Sequence, residues 1–248
     1  MGLVKNSAEL ERMRAAGKIT AKVCERVASH ICPGISTAEI DRFAAVLIRD
    51  YGAKSAFLGY RGYPGSICVS VNEEVVHGVP GPRRIQIGDI VSIDIGVVID
   101  SFHGDMAKTI MIGVLDSKTV SLVNTAEKAL CAGIEKAMAG NRLTDISHAI
   151  EMCACQNGFS VVRQFVGHGI GQNMHEDPQI PNFGPPGKGP VLKEAMTLAI
   201  EPMLNMGVSE VEVLSDGWTA VTRDRKLSAH FEHTVVVGRG MAEILTTI

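Results

Sequence analysis

The chain has 248 residues, 46% hydrophobic, 21% charged and 4% aromatic, the composition of a globular protein with enough apolar side chains for a large core. Lys and Arg number 24 against 27 Asp and Glu, a net charge of -3, which excludes the basic field that nucleic-acid binding needs. There is no run of about 18 apolar residues and no apolar leader after Met1-Gly2-Leu3-Val4, so neither a membrane span nor a targeting segment is expected. Met1-Gly2 resembles a myristoylation start, but Asn6 stands where that motif needs Ser or Thr.

The helical period predicts a first helix from near Ser7, carrying Leu10, Val23 and Val27 inward and broken at Pro33-Gly34. A second opens with the capping box Ser36-Thr-Ala-Glu39, turns Ile40, Phe43, Leu47 and Ile48 to one side and stops at Gly52. Strands follow at 67–71, 74–77, 90–99 and 103–112, rich in Val and Ile. Past Asp116 the helical period returns to roughly Ala139 and again over 144–156; strands resume at Phe159, Met196, Val211 and Phe231. The stretch from Pro178 to Pro190, with Gly184-Pro-Pro-Gly187 inside it, reads as a surface loop.

Helix, helix, sheet thus occurs twice, and an offset of 106 positions places Gly34 on Gly140, Ile40 on Ile146 and Gly52 on Gly158. We read one domain over 1–248, of class α+β, with two duplicated halves of roughly 1–113 and 114–248 rather than βαβ winding. Gly167-His-Gly-Ile-Gly171 has the wrong spacing for a dinucleotide, and no phosphate-binding loop is present. The six cysteines include no C-x-x-C pair and read as small buried hydrophobes of a reducing cytoplasm.

Three acidic residues stand where acids are expensive: Asp94 in Val91-Ser-Ile-Asp-Ile95, Glu201 in Leu198-Ala-Ile-Glu-Pro202, and Glu232 in Phe231-Glu-His-Thr-Val235. An ionised carboxylate inside an apolar strand costs several kcal/mol unless it is paired or ligates a cation. Alternation puts Asp94 on a face with Ser92 and Gly96, and Glu201 on one with Thr197 and Ala199, so both faces leave room. A hairpin with its loop centred on Ile99-Asp100 would set Asp105 directly opposite Asp94, with Cβ atoms about 4.5–5.5 Å apart. Two anions that close need a cation between them.

Among eight histidines, His168 has a glycine on each side, His175 follows in Met174-His-Glu-Asp-Pro178, and His77 ends a strand. Taken singly, each reads equally well as a hydrogen-bonded structural histidine or as a functional one. His30 and His148 read as structural.

Together, Ile93-Asp94, Phe102-His-Gly-Asp105, Gly167-His-Gly-Ile-Gly171, Ile200-Glu-Pro202 and Phe231-Glu-His-Thr234 resemble the type I methionine aminopeptidases of the pita-bread fold, members of the M24 metallopeptidases. Leu58-Gly-Tyr-Arg-Gly-Tyr-Pro64, Val76-His-Gly78 and Asp216-Gly-Trp218 extend the match over almost the whole chain. The resemblance implies that Asp94, Asp105, His168, Glu201 and Glu232 hold two divalent ions, Asp105 and Glu232 bridging them. It implies that a water shared by both ions attacks the scissile carbonyl. By the same resemblance Glu201 takes the proton, His175 stabilises the oxyanion, and His77 hydrogen-bonds the scissile amide or substrate backbone. A methionine pocket would draw on Tyr60, Tyr63, Cys68, Met174, His175 and Trp218.

Three positions depart from the family pattern: Phe57 for a common cysteine, Met174 for an aromatic, and Gly96 for a threonine. None removes a ligand. His230 shares a strand face with Glu232 and reads better as solvent-facing than as part of the ligand surroundings. The implied activity is removal of the initiator methionine from nascent proteins and peptides when the second residue is small, by a cytoplasmic monomer with transient ribosome contact. The metal is Co, Mn, Fe or Zn, which a donor set of oxygens and one imidazole does not distinguish. Met1-Gly2 would itself be a substrate by that rule. The rival readings are a non-catalytic pita-bread peptide- or ribosome-binding protein and a proline-specific aminopeptidase relative. The Arg223-Asp-Arg-Lys226 run reads as an exposed charged turn rather than an RNA contact.

Overall fold

A computed structural model of the chain describes residues 3–248, and the Met1-Gly2 start lies outside them. Helix α1 (Ser7–His30) begins at Asn6, whose side chain accepts from the Glu9 N–H while the Glu9 carboxylate accepts from the Asn6 N–H. Reciprocal capping satisfies donors that a helix start leaves open. Helix α2 (Thr37–Asp50) starts with the expected Ser36–Glu39 box. Both turn their apolar stripes onto a sheet of β1 (Lys54–Ser55), β2 (Cys68–Val71), β4 (Ile90–Ile99) and β5 (Phe102–Met111); β3 (Glu74–Val76) leaves it for another pairing. Val23, Val27, Ile40, Ile48, Ile93 and Ile95 form the centre of that core. Each such side chain contributes about 1.5–3 kcal/mol through burial.

The β4–β5 hairpin closes on Ile99 and Phe102 through Asp100 and Ser101, both at positive φ, 49° and 64°. Two left-handed residues make the primed turn that suits strand twist. This corrects the expected register: Asp94 lies opposite Ala107, and Asp105 opposite Gly96. The slip from the expected pairing is by two residues, an even number, so the aspartates stay on one face as diagonal neighbours, about 7–8 Å apart at the backbone.

The second half repeats the order with α3 (Ser117–Ile134) and α4 (Leu143–Gln156). Helix α3 stops five residues short of the expected Ala139, because the chain there turns to pair with the late strands, Ala139 N–H donating to Gly238 O. The strands are β6 (Ser160–Val161), β7 (Gly167–Gly169), β8 (Glu176–Ile180), β9 (Thr197–Ile200), β10 (Met203–Asn205), β11 (Val211–Val213), β12 (Ala220–Thr222), β13 (Ser228–His230), β14 (His233–Val236) and β15 (Glu243–Ile244). They build a five-stranded sheet in the order β15-β14-β9-β7-β8 and two smaller sheets, β13-β10-β6 and β11-β12-β3, with every pairing antiparallel. Leu122, Leu130, Ile146, Ile150, Leu198 and Val235 form the core between these helices and strands.

Pro178, expected in a loop, lies inside β8, which is an edge strand where a missing N–H is tolerated. The cysteines are all free, but only Cys24 and Cys68 are buried; Cys32, Cys131 and Cys155 are exposed, so the reading of all six as core residues is corrected. Cys131 and Cys155 lie on the outer faces of their helices, and Cys32 lies in the turn after α1.

Candidate metal centre

The two sheets meet at β5, and polar side chains fix how they meet. The Asp105 N–H donates to Thr234 Oγ1 at 3.0 Å, and that hydroxyl donates back to the Asp105 carbonyl at 2.9 Å. The Glu232 N–H donates to the Ala107 carbonyl at 2.9 Å. Thr109 accepts from the His230 N–H at 2.9 Å and donates to the His230 carbonyl at 2.8 Å. Glu232, in the break between β13 and β14, is thereby set against Asp105. Glu201 comes from the end of β9, its carbonyl held by Asn182 Nδ2 at 3.0 Å, and His168 from the middle of β7.

These elements bring the five expected ligands together. Ligand atoms of Asp105, His168 and Glu232 lie within 4.8 Å of one another. His168 Nε2 is 3.5 Å from Glu201 Oε1 and 3.9 Å from Asp105 Oδ2. His168 Nδ1–H donates to the Gly169 carbonyl at 2.9 Å, which leaves the Nε2 lone pair facing the carboxylates.

The electrostatics are those of a site built around positive charge. Burial, and then mutual repulsion, holds Asp105, Glu201 and Glu232 well above the usual carboxylate range; burial raises Asp94 to about 7. Burial and the field of His175 push His168 down to about 4, so its imidazole is neutral. Asp94 Oδ1, Asp105 Oδ1 and Glu232 Oε1 are buried without a hydrogen-bond partner. Orphaned buried acceptors are costly, and three such carboxylates with Glu201 beside a neutral imidazole fit divalent cations.

His230 corrects an expectation. It is 2% exposed rather than solvent-facing, because β13 is covered by β10 and by Thr109 of β5. Its Nε2 has no hydrogen-bond partner and stands 4.0 Å from Glu201 Oε2.

A cavity of about 360 Å³ opens over the carboxylates, walled by Phe57, Tyr60, Tyr63, Cys68, His77 and Trp218. Tyr63 and Trp218 meet edge to face at 5.1 Å, and the Tyr63 hydroxyl donates to the Gly78 carbonyl at 2.9 Å. Cys68 lies opposite Asp94 on β2. His77, at a positive φ of 60°, sits between the edges of Phe165 and Trp218, and burial lowers it to about 4. His175 has its ring 4.3 Å from that of His168 and its Nδ1 2.8 Å from the Tyr60 hydroxyl.

Met174 is 3% exposed and is not among the lining residues, so the expected place for it in the pocket wall is taken by Phe57. Both close over Gly96, where a Cβ would fall 2.6 Å from the Phe57 ring and 3.0 Å from Met174 Cε. The three departures from the family pattern are therefore one packing unit. Gly96→Ala is expected to cost about 1–3 kcal/mol by overpacking, lowering the melting temperature by about 3–10 °C. Calorimetry of Gly96→Ala, Phe57→Cys and the double variant should show coupling of about 1 kcal/mol or more, and strict additivity would refute the shared contact.

Sequence reasoning missed Phe57 as a lining residue, along with Arg61, Gln164, Phe165, Val166 and Gln179. Arg61 lies within the quoted Leu58–Pro64 motif and Phe57 directly before it, so both were within reach; the glutamines carry no pattern that sets them apart.

Residues 11–239 match the metallopeptidase family M24. The chain belongs to that family. Its relatives narrow the class: it is 50% identical to a methionine aminopeptidase of Clostridium perfringens, over 100% of both chains, and 50% identical to methionine aminopeptidase 1 of Bacillus subtilis, also over 100% of both. The crystal structure of methionine aminopeptidase from Thermotoga maritima superposes with a TM-score of 0.97 at 44% identity, covering 99% of each chain. Prolidase from Pyrococcus furiosus, 23% identical with a TM-score of 0.82 over 99% of this chain and 66% of its own, shares the pita-bread fold.

Proposed function

We propose that this chain is a metal-dependent exopeptidase that removes an N-terminal methionine when the following residue is small. The observation that carries the reading is the buried cluster of four carboxylates and one neutral imidazole beneath an aromatic and thiol-lined cavity. Full-length relatives at 50% identity that are methionine aminopeptidases support it.

Asp94, Asp105, His168, Glu201 and Glu232 would hold two divalent ions, with Asp105 and Glu232 shared between them. When bound, such ions polarise a carbonyl oxygen and make water acidic enough to serve as a nucleophile near neutral pH. Glu201 stands beside His168 with a raised proton affinity, suited to receive a proton from the nucleophile and pass it to the leaving amine. In the tautomer in which His175 Nδ1 accepts from the Tyr60 hydroxyl, Nε2–H is left to donate to the oxygen where negative charge develops. Neutral His77 offers a donor and an acceptor to the substrate amide. Phe57, Tyr63, Cys68 and Trp218 enclose the methionine side chain, where a polarizable thioether meets aromatic edges and a thiol.

We place the reaction on nascent chains and free peptides in the cytoplasm, carried out by a monomer. No described helix is long and apolar enough to cross a membrane.

Methionine release should be measured from Met-Ala, Met-Leu and Ala-Pro peptides after chelation, and again after Mn, Fe, Co or Zn is restored singly. Release from Met-Ala alone, lost on chelation and recovered with metal, is the expected result. Cleavage of Ala-Pro instead would reassign the chain to proline-specific chemistry, and no release with any metal from folded protein would leave a binding protein.

A further inference from the structure

Every other charged group that lines the cavity belongs to the carboxylate and imidazole set; Arg61 is the lone Lys or Arg among the lining residues. It is exposed at the mouth, and among the described residues it forms no ion pair. The loop that presents it is held rather than loose. Tyr60 N–H donates to the Phe57 carbonyl at 2.8 Å, Gly59 N–H to the Tyr63 carbonyl at 2.9 Å and Tyr63 N–H to the Tyr60 carbonyl at 2.9 Å. Arg61 itself sits at φ 48°, between Gly59 at 80° and Gly62 at 90°. A residue with a Cβ is uncommon in that region and is kept there at a local cost.

The side chain is also aimed. The guanidinium carbon lies 5.4 Å from the centre of the Tyr60 ring, and the other neighbour of that ring is His175, with centroids 5.4 Å apart. Arg61 is thus one aromatic ring away from the group assigned to the scissile carbonyl. An extended peptide covers such a span in about three residues, at about 3.3–3.6 Å each. In an exopeptidase of this kind the first side chain fills the closed end, between Tyr63, Cys68 and Trp218, so the rest of the peptide must leave past the mouth.

We propose that Arg61 recognises a carboxylate carried by the first residues after the cleaved methionine, and so biases the enzyme toward substrates acidic at those positions. The inference rests on the proposed aminopeptidase reading and adds a specificity element on the departing side of the bond. A guanidinium presents paired donors that match a carboxylate, and stacking on Tyr60 pre-orients them.

The test compares kcat/KM on amidated peptides Met-Ala-Glu-Gly and Met-Ala-Gly-Glu with their glutamine counterparts, and on Met-Ala-Gly as free acid and amide. The first pairs read a side-chain carboxylate, the last a terminal one. For the native protein at low salt we expect at least one acidic-to-neutral ratio of about 3–10, falling toward one at about 0.5 M salt because the pair is exposed. Arg61→Gln should bring the ratio to about one, and Arg61→Glu should invert it. Using a ratio within each variant cancels any effect transmitted through Tyr60 to His175. A ratio near one in the native protein, or a preference that survives in Arg61→Gln, overturns the proposal while leaving the aminopeptidase reading intact. No methionine release from any peptide by metal-restored native protein overturns both.

Discussion

Asp105→Asn is expected to abolish methionine release, by about 10³-fold or more, while making the metal-free protein more stable. The loss should exceed the 10–100-fold typical of groups that only support a ligand, because Asp105 is itself one of the proposed ligands. It is 4% exposed, has an orphaned Oδ1 and lies with His168 and Glu232 inside 4.8 Å. The gain in stability has the same origin. Without cations Asp105 faces the repulsion of Glu232 and Asp94, and its backbone anchors to Thr234 do not use the carboxylate. Asparagine keeps the shape, stays neutral without having to retain a proton, and gives its neighbours a donor. Each kcal/mol gained should raise the metal-free melting temperature by about 2–4 °C for a chain of this size. Metal titration by calorimetry should show weakened binding in the same variant. Full activity, or a metal-free protein less stable than the native one, would sink the assignment.

The second large effect concerns pH. Chelator-treated protein is expected to lose stability as pH rises from about 6.5 to 8. Unfolded carboxyl groups titrate near 4, whereas burial holds Asp94 at about 7, and burial with mutual repulsion holds Asp105, Glu201 and Glu232 well above their usual range. The folded state therefore binds more protons than the unfolded one, and stability falls with rising pH by up to about 1.4 kcal/mol per unit for each proton so retained. The stabilising contribution is complete below the unfolded value and is lost through the folded ones. Below about 6.5 the trend is opposed, since burial lowers His77, His168 and His233 to about 4 and His230 to about 3, and those rings favour the folded state as pH rises toward their unfolded value. Metal-loaded protein should show no such fall above 6.5, because cations replace the retained protons. Melting temperatures of the two forms, followed across this window, check both halves. Parallel curves would mean that the carboxylates do not meet the ions.

Much of this was legible in the sequence because the local rules and the global fold agree. The Ser36–Glu39 box starts a helix, and alternation along 90–99 puts Asp94 with Ser92 and Gly96 on the face away from Ile93 and Ile95. The hairpin register was not legible, since its turn uses Asp100 and Ser101 at positive φ without the Asn-Gly or Gly signal that advertises such turns. The burial of His230 depends on strands β10 and β5, which no pattern within β13 reveals. Likewise the exchange of Met174 for Phe57 in the cavity wall is set by the missing Cβ of Gly96, distant in sequence from both. What failed was tertiary neighbourhood, not residue chemistry.

Helix α1 lies on β5 with no room to spare: a Cβ on Gly104 would fall 2.6 Å from Thr20 Oγ1, and one on Gly17 would fall 2.6 Å from the Leu245 carbonyl. The residue beside Gly104 is Asp105, and Leu245 donates its N–H to the carbonyl of Thr234, which in turn fixes Asp105. During synthesis the first-made helix can dock on the hairpin early, but its last seat is made near the end of the chain. A half-translated molecule owns Asp94 and Asp105, lacks His168, Glu201 and Glu232, and has no reason to capture an ion. Chemistry in this protein begins only after its late strands have closed the ring of contacts begun by its first helix.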